Sequence, residues 1–290
     1  MTRKQFIEKD KIKNYWETRA PQVWYSDKEE GTLEWFNELE YKRYHCYYEY
    51  IPKIAEFEHH YGEQVLEIGV GLGTDIIQFA KHGAVVSGID LTENAVEMTK
   101  RHFKLKGLKY KILEIQDAEK LDFNSKTFDL VYSFGVLHHM PNTDIAINEI
   151  HRVLKDEGKA IVMLYARGWK HYFKRIFIHG ILFGKLFKYG YSKLVNLQTE
   201  VQGSSPLTYV FTKKEIKKMF SIFGDVEITR YRLGEYFDYA PYKTRKVPQF
   251  IKNILDLFTA ERFLGENFII KAVKTNKKPR YSFFKTLLKP

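Results

Sequence analysis

Between residues 64 and 165 the chain repeats one pattern, in which a short apolar run ends at a glycine or a turn and a helical segment usually follows. Short apolar runs closed by glycines predict buried strands. Strands that alternate with helices of ten or so residues predict βαβ units, and these build a parallel sheet. The predicted strands span 64–68, 84–89, 110–115, 128–133 and 160–165, and the predicted helices span 74–82, 93–105 and 144–155.

The pattern changes after Ala166, where a basic and aromatic stretch with no clear strand begins. Thr212 and Glu215 then form a capping-box signature, which predicts the start of a helix. Two more apolar runs, 226–231 and 268–273, predict the last strands, with an insertion between them. We therefore divide the chain into an N-terminal helical cap segment (1–60), a ligand-binding core (61–166), a basic aromatic lid-like insertion (167–211) and the C-terminal part of the sheet with an insertion (212–290).

Composition limits the class of protein. Hydrophobic residues make up 44% of the chain, enough for a sizeable core. The single cysteine, Cys46, excludes an intramolecular disulfide and a multi-cysteine metal site. The first residues lack the apolar region of a signal peptide, and the longest apolar run, 176–184, is too short to cross a bilayer. We expect a cytoplasmic protein.

Charge is divided unevenly along the chain. Residues 1–165 carry 22 basic and 27 acidic side chains, a formal charge of −5, whereas residues 166–290 carry 25 basic and 9 acidic side chains, a formal charge of +16. The basic C-terminal part could meet an anionic partner, such as a lipid surface, a phosphorylated substrate or a nucleic acid. The alternative is that these lysines and arginines are solvated on the surface.

A glycine-rich turn stands between the first predicted strand and helix, with glycines at Gly69, Gly71 and Gly73. Glycines allow a tight turn and let a ligand approach the main chain closely. The helix N-terminus beyond the turn offers free N–H groups. A nucleotide-like ligand fits this turn, but the dinucleotide-binding pattern would need glycine or alanine where Thr74 stands.

Asp90 ends the second predicted strand, about 20 residues after the glycines, where an acidic side chain can bind ribose hydroxyls. A carboxylate only accepts hydrogen bonds, which suits two adjacent hydroxyl donors. The alternative function of Asp90 is to cap the helix that begins near residue 93.

Four motifs at matching spacing make the segment 64–165 resemble the class I S-adenosylmethionine-dependent methyltransferases, in the quinone-biosynthesis-type or methyltransferase type 11 group. The motifs are residues 65–74, 88–90, 116–123 and 128–139, and Arg152 to Gly158 match the helix-to-strand turn of the group. The resemblance implies an α/β fold, a Rossmann-like doubly wound sheet of seven strands, mostly parallel with the last strand antiparallel, plus helical elaborations.

The resemblance also implies S-adenosyl-L-methionine as cofactor and assigns roles to its contacts. The glycines would line the methionine and ribose parts, with Glu67 beneath them. Asp90 would hold the ribose hydroxyls, with Leu91 beside the adenine. Asp117 would accept the adenine amino group, with Ala118 next to it, and Ser133 and Phe134 would offer main-chain contacts to the methionine part. Ligands of open α/β sheets do lie at the carboxyl ends of the strands.

His138 and His139 follow the fourth predicted strand, on the side from which a substrate would approach. An imidazole has a suitable pKa for a general base near neutral pH, so either ring could deprotonate the methyl acceptor. The alternative is a packing role at a helix start. Adjacent histidines do not make a metal site by spacing alone, and we predict no metal. Asp129, at the opposite end of that strand, is interpreted as structural.

These features favour a methyltransferase that acts on a small or lipid-like molecule. The two other hypotheses are an RNA methyltransferase that uses the basic C-terminal part, and a non-catalytic protein that kept the fold and binds the cofactor. The Asn/Asp-Pro-Pro-Tyr/Phe motif of enzymes that methylate nucleobase amines is absent after residue 132, and no RNA-binding module is recognisable, so we expect no nucleic-acid partner. The sequence does not specify an oligomeric state.

The insertion 170–193 mixes aromatic side chains with lysines and arginines. We expect a lid in which Phe173, Phe177 and Phe183 face an apolar acceptor pocket. The alternative is a peripheral contact with an anionic membrane. Tyr15, Trp16 and Trp24 are aromatic enough to cover the cofactor, but for each of them alone we favour ordinary packing of a helix onto the sheet.

Overall fold

The computed structural model describes residues 3–168, 171–199, 205–231, 266–275 and 280–282. Predictions for residues 232–265 therefore lie outside the described residues. Among the described residues, no helix is both long and apolar enough to cross a membrane.

One mixed sheet of eight strands organises the structure. Its spatial order is β3-β2-β1-β4-β5-β7-β6-β8. The strands are β1 (Gln64–Ile68), β2 (Val85–Asp90), β3 (Ile112–Ile115), β4 (Phe128–Phe134), β5 (Leu154–Tyr165), β6 (Asp225–Tyr231), β7 (Asn267–Val273) and β8 (Arg280–Ser282). β1 to β5 run parallel to one another, which confirms the predicted parallel sheet and its order of βα units.

The prediction of seven strands is wrong by one strand. β7 lies antiparallel between β5 and β6, as the resemblance implied for the seventh strand. An eighth strand, β8, then pairs in parallel with β6 through Arg280, Tyr281 and Ser282. These residues form no apolar run, so strand periodicity does not reveal them.

Helices cover both faces of the sheet. Further helices precede β1 in the sequence and follow β5. They are α1 (Arg3–Thr18), α2 (Leu33–Lys42), α3 (Ile51–Ala55), α4 (Thr74–Lys81), α5 (Glu93–Lys106), α6 (Thr143–Val153), α7 (Lys185–Thr199) and α8 (Lys213–Met219). Before α7, the segment His171–Leu182 forms a wide helix with π-type turns. The predicted capping box is confirmed, because the Thr212 hydroxyl accepts from Glu215 N–H while the Glu215 carboxylate accepts from Thr212 N–H.

Two apolar clusters fix the sheet between its helices. One packs β4 and β5 against α6 and α8 through fully buried Val131, Ile150 and Phe220. The other packs β1 and β2 against α4 and α5, with Phe79 and Phe103 at most 1% exposed. Because both faces of β1 and β4 are buried, the residues that follow these strands are held in fixed positions at the carboxyl edge.

Candidate functional site

The glycine turn follows β1 at the carboxyl edge of the sheet. Gly69, Gly71 and Gly73 all have positive φ, between 53° and 80°, a conformation that side chains with a Cβ rarely adopt. A Cβ on Gly69 would lie 2.2 Å from Cγ2 of Val136, so the loop after β4 packs directly on the turn. At Gly71 the nearest atom to a Cβ would be Cγ of Pro21, 3.6 Å away, in the N-terminal segment. The turn is therefore enclosed by two other parts of the chain.

Asp90, at the end of β2, fixes the glycine turn from the side. Its Oδ2 accepts a hydrogen bond from Gly71 N–H at 3.1 Å, and its Oδ1 accepts from the Thr92 N–H at 3.0 Å and hydroxyl at 2.8 Å. Burial raises the pKa of Asp90, and these hydrogen bonds oppose that shift. The neighbouring Leu91 is partly buried. Asp90 thus bonds Thr92, the residue before α5, and accepts no hydrogen bond from Glu93 or Asn94 at the helix start, whose N–H groups are bound by Glu17. Its binding of ribose hydroxyls stays a prediction.

Glu67 lies beneath the turn, 3% exposed, beside a saturated polar cluster. In that cluster Asp75 accepts four hydrogen bonds, two from Arg43 at 2.7 and 2.5 Å and one each from the hydroxyls of Tyr44 at 2.7 Å and Tyr132 at 2.9 Å. Within the described part of the chain, Oε2 of Glu67 has no hydrogen-bond partner. Burial, followed by the negative charges of Asp75 and Asp90, raises the pKa of Glu67 well above its usual range, although Arg43 opposes the shift.

The predicted adenine contact follows β3. Oδ1 of Asp117 accepts from Glu119 N–H at 2.9 Å, which fixes the carboxylate, and Ala118 is 5% exposed. Oδ2 of Asp117 is paired with the Lys9 ammonium, which also contacts Oε2 of Glu119 at 2.6 Å. Lys9 belongs to α1, so the N-terminal helix lies over the place where the adenine contact was predicted.

Ser133 and Phe134 end β4 next to the turn. The Ser133 hydroxyl is fully buried and donates to the carbonyl of Ile68 at 3.1 Å, which joins the ends of β4 and β1. The Phe134 ring is partly buried and lies 5.3 Å from the ring of Tyr48, centroid to centroid. The side chain of Ser133 is therefore structural, so any cofactor contact here must come from the main chain.

His138 and His139 lie next to each other but in different environments. His138 is fully buried, with its ring centroid 3.8 Å from that of Tyr165. Among the described residues neither ring nitrogen of His138 has a hydrogen-bond partner at standard geometry. Burial and the neighbouring His139 lower the pKa of His138 well below its ordinary value, although the nearby Met163 backbone favours the protonated ring. His138 is therefore a neutral packing residue near neutral pH.

His139 is held in one orientation. Its Nδ1 lies 2.9 Å from the carbonyl oxygen of Leu207 and 3.2 Å from the Thr208 hydroxyl. A carbonyl only accepts, so Nδ1 carries the proton in the neutral ring and Nε2 carries the lone pair. The ring centroid lies 5.1 Å from that of Trp16 in α1. The ring of His139 is thus fixed through Nδ1 and packs against Trp16 of α1.

The contacts of α1, Arg43 and residues 205–208 were not predicted from the sequence. Asp75 had one available signal, since it is an acidic residue in the first turn of the helix that follows the glycines. The other contacts join residues far apart in the sequence, and no local pattern encodes them. Among the described residues, no group of three or more histidine, cysteine or acidic side chains could hold a metal ion.

The aromatic side chains of the insertion differ from our expectation. Phe177 and Phe183 are 46% and 65% exposed, so these rings do not line a closed pocket. The side chain of Phe173 lies outside the described residues. A cleft of about 540 Å³ instead opens at the second half of the insertion, lined by Tyr189–Lys193, Asn196, Ser205 and Pro206. Its Ser205 lies 3.4 Å from Nδ1 of His139, which links the cleft to the histidine.

Comparison with known proteins gives a consistent result for the core. Residues 66–162 match the family described as "Methyltransferase domain". The chain is 32% identical over 122 residues to the sterol 4-C-methyltransferase of Caenorhabditis elegans, covering 42% of this chain and 35% of that protein. It is 31% identical over 111 residues to the ubiquinone biosynthesis O-methyltransferase of Coxiella burnetii, covering 38% and 47%. The matched region thus spans less than half the length of these relatives.

Solved structures share the fold. Phosphoethanolamine N-methyltransferase 2 of Haemonchus contortus, in complex with phosphomonomethylethanolamine and S-adenosylhomocysteine, superposes with a TM-score of 0.57 at 18% identity, covering 91% of this chain and 61% of that one. Magnesium protoporphyrin IX methyltransferase of Synechocystis superposes with a TM-score of 0.54 at 16% identity, covering 92% and 100%. At these identities the likeness concerns the fold alone.

Proposed function

We propose that this chain is a class I S-adenosylmethionine-dependent methyltransferase and that it transfers a methyl group to a small molecule with an apolar body, which the match of residues 66–162 to a methyltransferase domain supports. The observation that carries this proposal is the enclosed glycine turn, whose Gly71 N–H is bound by the Asp90 carboxylate at the carboxyl edge of the sheet. Side chains of Val136 and Thr99 pack against Gly69 and Gly73, whereas at Gly71 the nearest atom to a Cβ would be 3.6 Å away, so Gly71 is where a ligand could approach the main chain.

The residues around the turn fit the chemistry of the cofactor. Asp90 accepts three hydrogen bonds of the about four that a carboxylate can accept, so it could still accept one from a ribose hydroxyl. The unpartnered oxygen of Glu67 would accept the α-ammonium of the methionine part, which supplies the positive charge that this buried acid lacks. Asp117 would bind the adenine amino group after exchanging its pair with Lys9.

The chain itself has to align the two reactants and exclude water, because methyl transfer is an in-line displacement. The bound cofactor supplies an electrophilic methyl group on a sulfonium. Helix α1 would shield the reaction from solvent, since Trp16 covers His139 and Lys9 covers Asp117. His139 would accept the acceptor's proton on Nε2 while Leu207 holds Nδ1.

The acceptor is proposed to be a small or lipid-like molecule. The named relatives are methyltransferases of sterols, of ubiquinone biosynthesis and of phosphoethanolamine. The cleft that shares Ser205 with the contacts of His139 has a volume of about 540 Å³, within the range of small-molecule sites. We place the acceptor between this cleft and the glycine turn.

The proposal is tested by methyl transfer from labelled S-adenosylmethionine into metabolite and lipid extracts of the host. We expect label in a small molecule, and His139→Ala should lower the turnover by roughly 100-fold while the variant still binds the cofactor, because a positioned base contributes on that scale. His138→Phe is the matched control, since it replaces a neutral buried ring by an apolar one, and it should retain turnover.

Two results would contradict the proposal. One is label that enters RNA but no small molecule. The other is a wild-type chain that binds the cofactor and labels nothing in either extract. Equal turnover of His139→Ala and wild type would leave methyl transfer intact and remove only the role of His139 as the base.

A further inference from the structure

The insertion exposes an apolar surface at its centre. The segment from Ile181 to Lys188 joins the wide helix to α7, and we call it the hairpin tip. Ile181, Leu182, Phe183 and Phe187 in the tip are 48%, 62%, 65% and 80% exposed. Gly184 allows the change of direction between the two helices with a φ of 67°. Four large apolar side chains within seven residues thus face away from the core of the protein.

The two arms of the hairpin are joined to each other, and its C-terminal arm is bonded to a segment outside it. His171 is 2% exposed, and its Nε2 lies 3.1 Å from the hydroxyl of Tyr191 in the other arm. Leu194 and Val195 are buried, and the Asn196 side chain bonds the Pro206 carbonyl at 2.9 Å and the Thr208 N–H at 3.0 Å. The exposed tip is therefore not an effect of a loose segment.

Charge around the tip has one sign. Residues 167–199 contain seven lysines and arginines and no aspartate or glutamate. Lys188 is exposed within the tip itself, and Lys185 is partly exposed beside Phe183. An apolar surface whose charged neighbours within residues 167–199 of the sequence are all basic complements a layer that is apolar inside and anionic at its surface.

We propose that the hairpin tip docks this chain on an anionic lipid bilayer, with Phe183 and Phe187 in the boundary between headgroups and acyl chains. Monomeric proteins rarely expose contiguous apolar patches without a binding role, and basic amphipathic surfaces bind membranes through both apolar burial and attraction to anionic headgroups. The proposal goes beyond methyl transfer and holds whatever the acceptor is.

Other occupants fit the tip less well. A second copy of this chain would bring two surfaces of the same positive charge together, which repels rather than attracts. RNA could contact the basic side chains and stack on Phe183 and Phe187, but it would leave the exposed aliphatic side chains of Ile181 and Leu182 without an apolar partner. A bilayer uses the aliphatic, aromatic and basic side chains at once.

Docking would also bring the proposed acceptor cleft to the lipid surface. The base of the hairpin contains Asn196, which lines the cleft and bonds Thr208, and Thr208 contacts His139. In a chain that docks by its tip, this cleft would therefore lie close to the bilayer, in which an apolar acceptor is dissolved.

The test is flotation of the full chain with vesicles of phosphatidylcholine, with and without phosphatidylglycerol. We expect the chain to float with the vesicles that contain phosphatidylglycerol. Phe183→Ser combined with Phe187→Ser should lower the partition coefficient at least roughly tenfold, because each ring contributes apolar burial. Lys185→Glu combined with Lys188→Glu should lower it by roughly tenfold as well, as should salt of about 1 M, at which the screening length falls to about 3 Å.

Matched controls carry the same chemical changes elsewhere on the surface. Tyr41→Ser removes an aromatic side chain that is 60% exposed, and Lys53→Glu combined with Lys104→Glu reverses two exposed lysines. These variants should float like the wild type, and thermal unfolding should show that all variants are folded. Three results would overturn the proposal: no flotation of the wild type with anionic vesicles, equal flotation of the tip variants, or tip-dependent self-association or RNA binding in place of flotation.

Discussion

At the scale of single residues, Glu67 is a buried acid beside the glycine turn whose hydrogen-bonding capacity is only partly used. It is buried, one of its oxygens has no partner among the described residues, and its neighbours Asp75 and Asp90 are acidic. A raised pKa in the folded state means that the contribution of Glu67 to stability is complete below its unfolded pKa, about 4.3, and is lost as the pH rises through the folded pKa. A ligand that places a positive charge beside Glu67 should stabilise its ionised form and so lower its pKa.

We therefore expect cofactor binding to release a proton from Glu67, so that affinity increases with pH until the pKa of Glu67 in the free protein is passed. Calorimetry of S-adenosylhomocysteine binding in buffers of different ionisation enthalpy measures this release. Glu67→Gln should abolish the part of the release that belongs to Glu67, which separates it from the cofactor's own titrating groups. The control ligand is 5′-methylthioadenosine, which lacks the amino acid part and should release no proton from Glu67. Identical proton release by Glu67→Gln and wild type would refute this role.

At the scale of secondary structure elements, α1 packs at the carboxyl edge of the sheet, where Lys9 contacts Asp117 and Glu17 contacts the start of α5. Thr92 stands before α5, but its hydroxyl bonds Asp90 instead of capping the helix. The Glu17 carboxylate of α1 performs that function, accepting from the N–H groups of Glu93 at 3.1 Å and Asn94 at 2.7 Å. A negative charge is also favourable at a helix N-terminus. One carboxylate thus caps α5 and holds α1 across the site.

Glu17→Ala should destabilise the protein by about 0.5–2 kcal/mol, the usual cost of a lost N-terminal cap. It should also speed amide hydrogen exchange in α1 more than elsewhere, because α1 loses a contact to α5. Glu97→Ala is the control, since Glu97 lies exposed on α5 and, among the described residues, its one ion pair is with Lys100 at 2.8 Å. If the two variants exchange α1 amides at the same rate, Glu17 does not hold the helix.

The elements were predictable to the extent that local patterns encode them. β1, β2 and β4 are apolar runs closed by glycine or followed by a turn, and Thr212 to Glu215 carry a complete capping box, so sequence alone locates them. β8 has only three residues and exists through its pairing with β6. The pairs Lys9–Asp117 and Arg43–Asp75 join distant residues, so chain folding creates them and no spacing rule reveals them. Asp90 was predictable because strand position and residue type coincide.

At the scale of the whole molecule, one sheet combines strands from both sides of the insertion. β5 and β7 pair along seven residues, so the C-terminal part completes the same sheet as the core. The division of the chain into a cap, a core, an insertion and a C-terminal part stays a prediction. The net positive charge belongs to residues 166–290, the part of the sequence that includes the hairpin tip. Under this account the core binds the cofactor, and the later elements serve the acceptor and the membrane.

Binding of S-adenosylmethionine by the glycine turn and Asp90 can be measured by calorimetry of the purified chain. The wild type should bind S-adenosylmethionine and S-adenosylhomocysteine, and Asp90→Ala should weaken both by about 1.5–3 kcal/mol, the scale of hydrogen bonds to a charged group. Asp129→Ala is the matched control, because this aspartate lies at the opposite end of β4, bonded to Gln64 N–H at 2.9 Å and Lys155 at 2.8 Å. It should leave the affinity unchanged. No detectable affinity of the wild type for either ligand, or equal weakening by the two substitutions, would contradict the account.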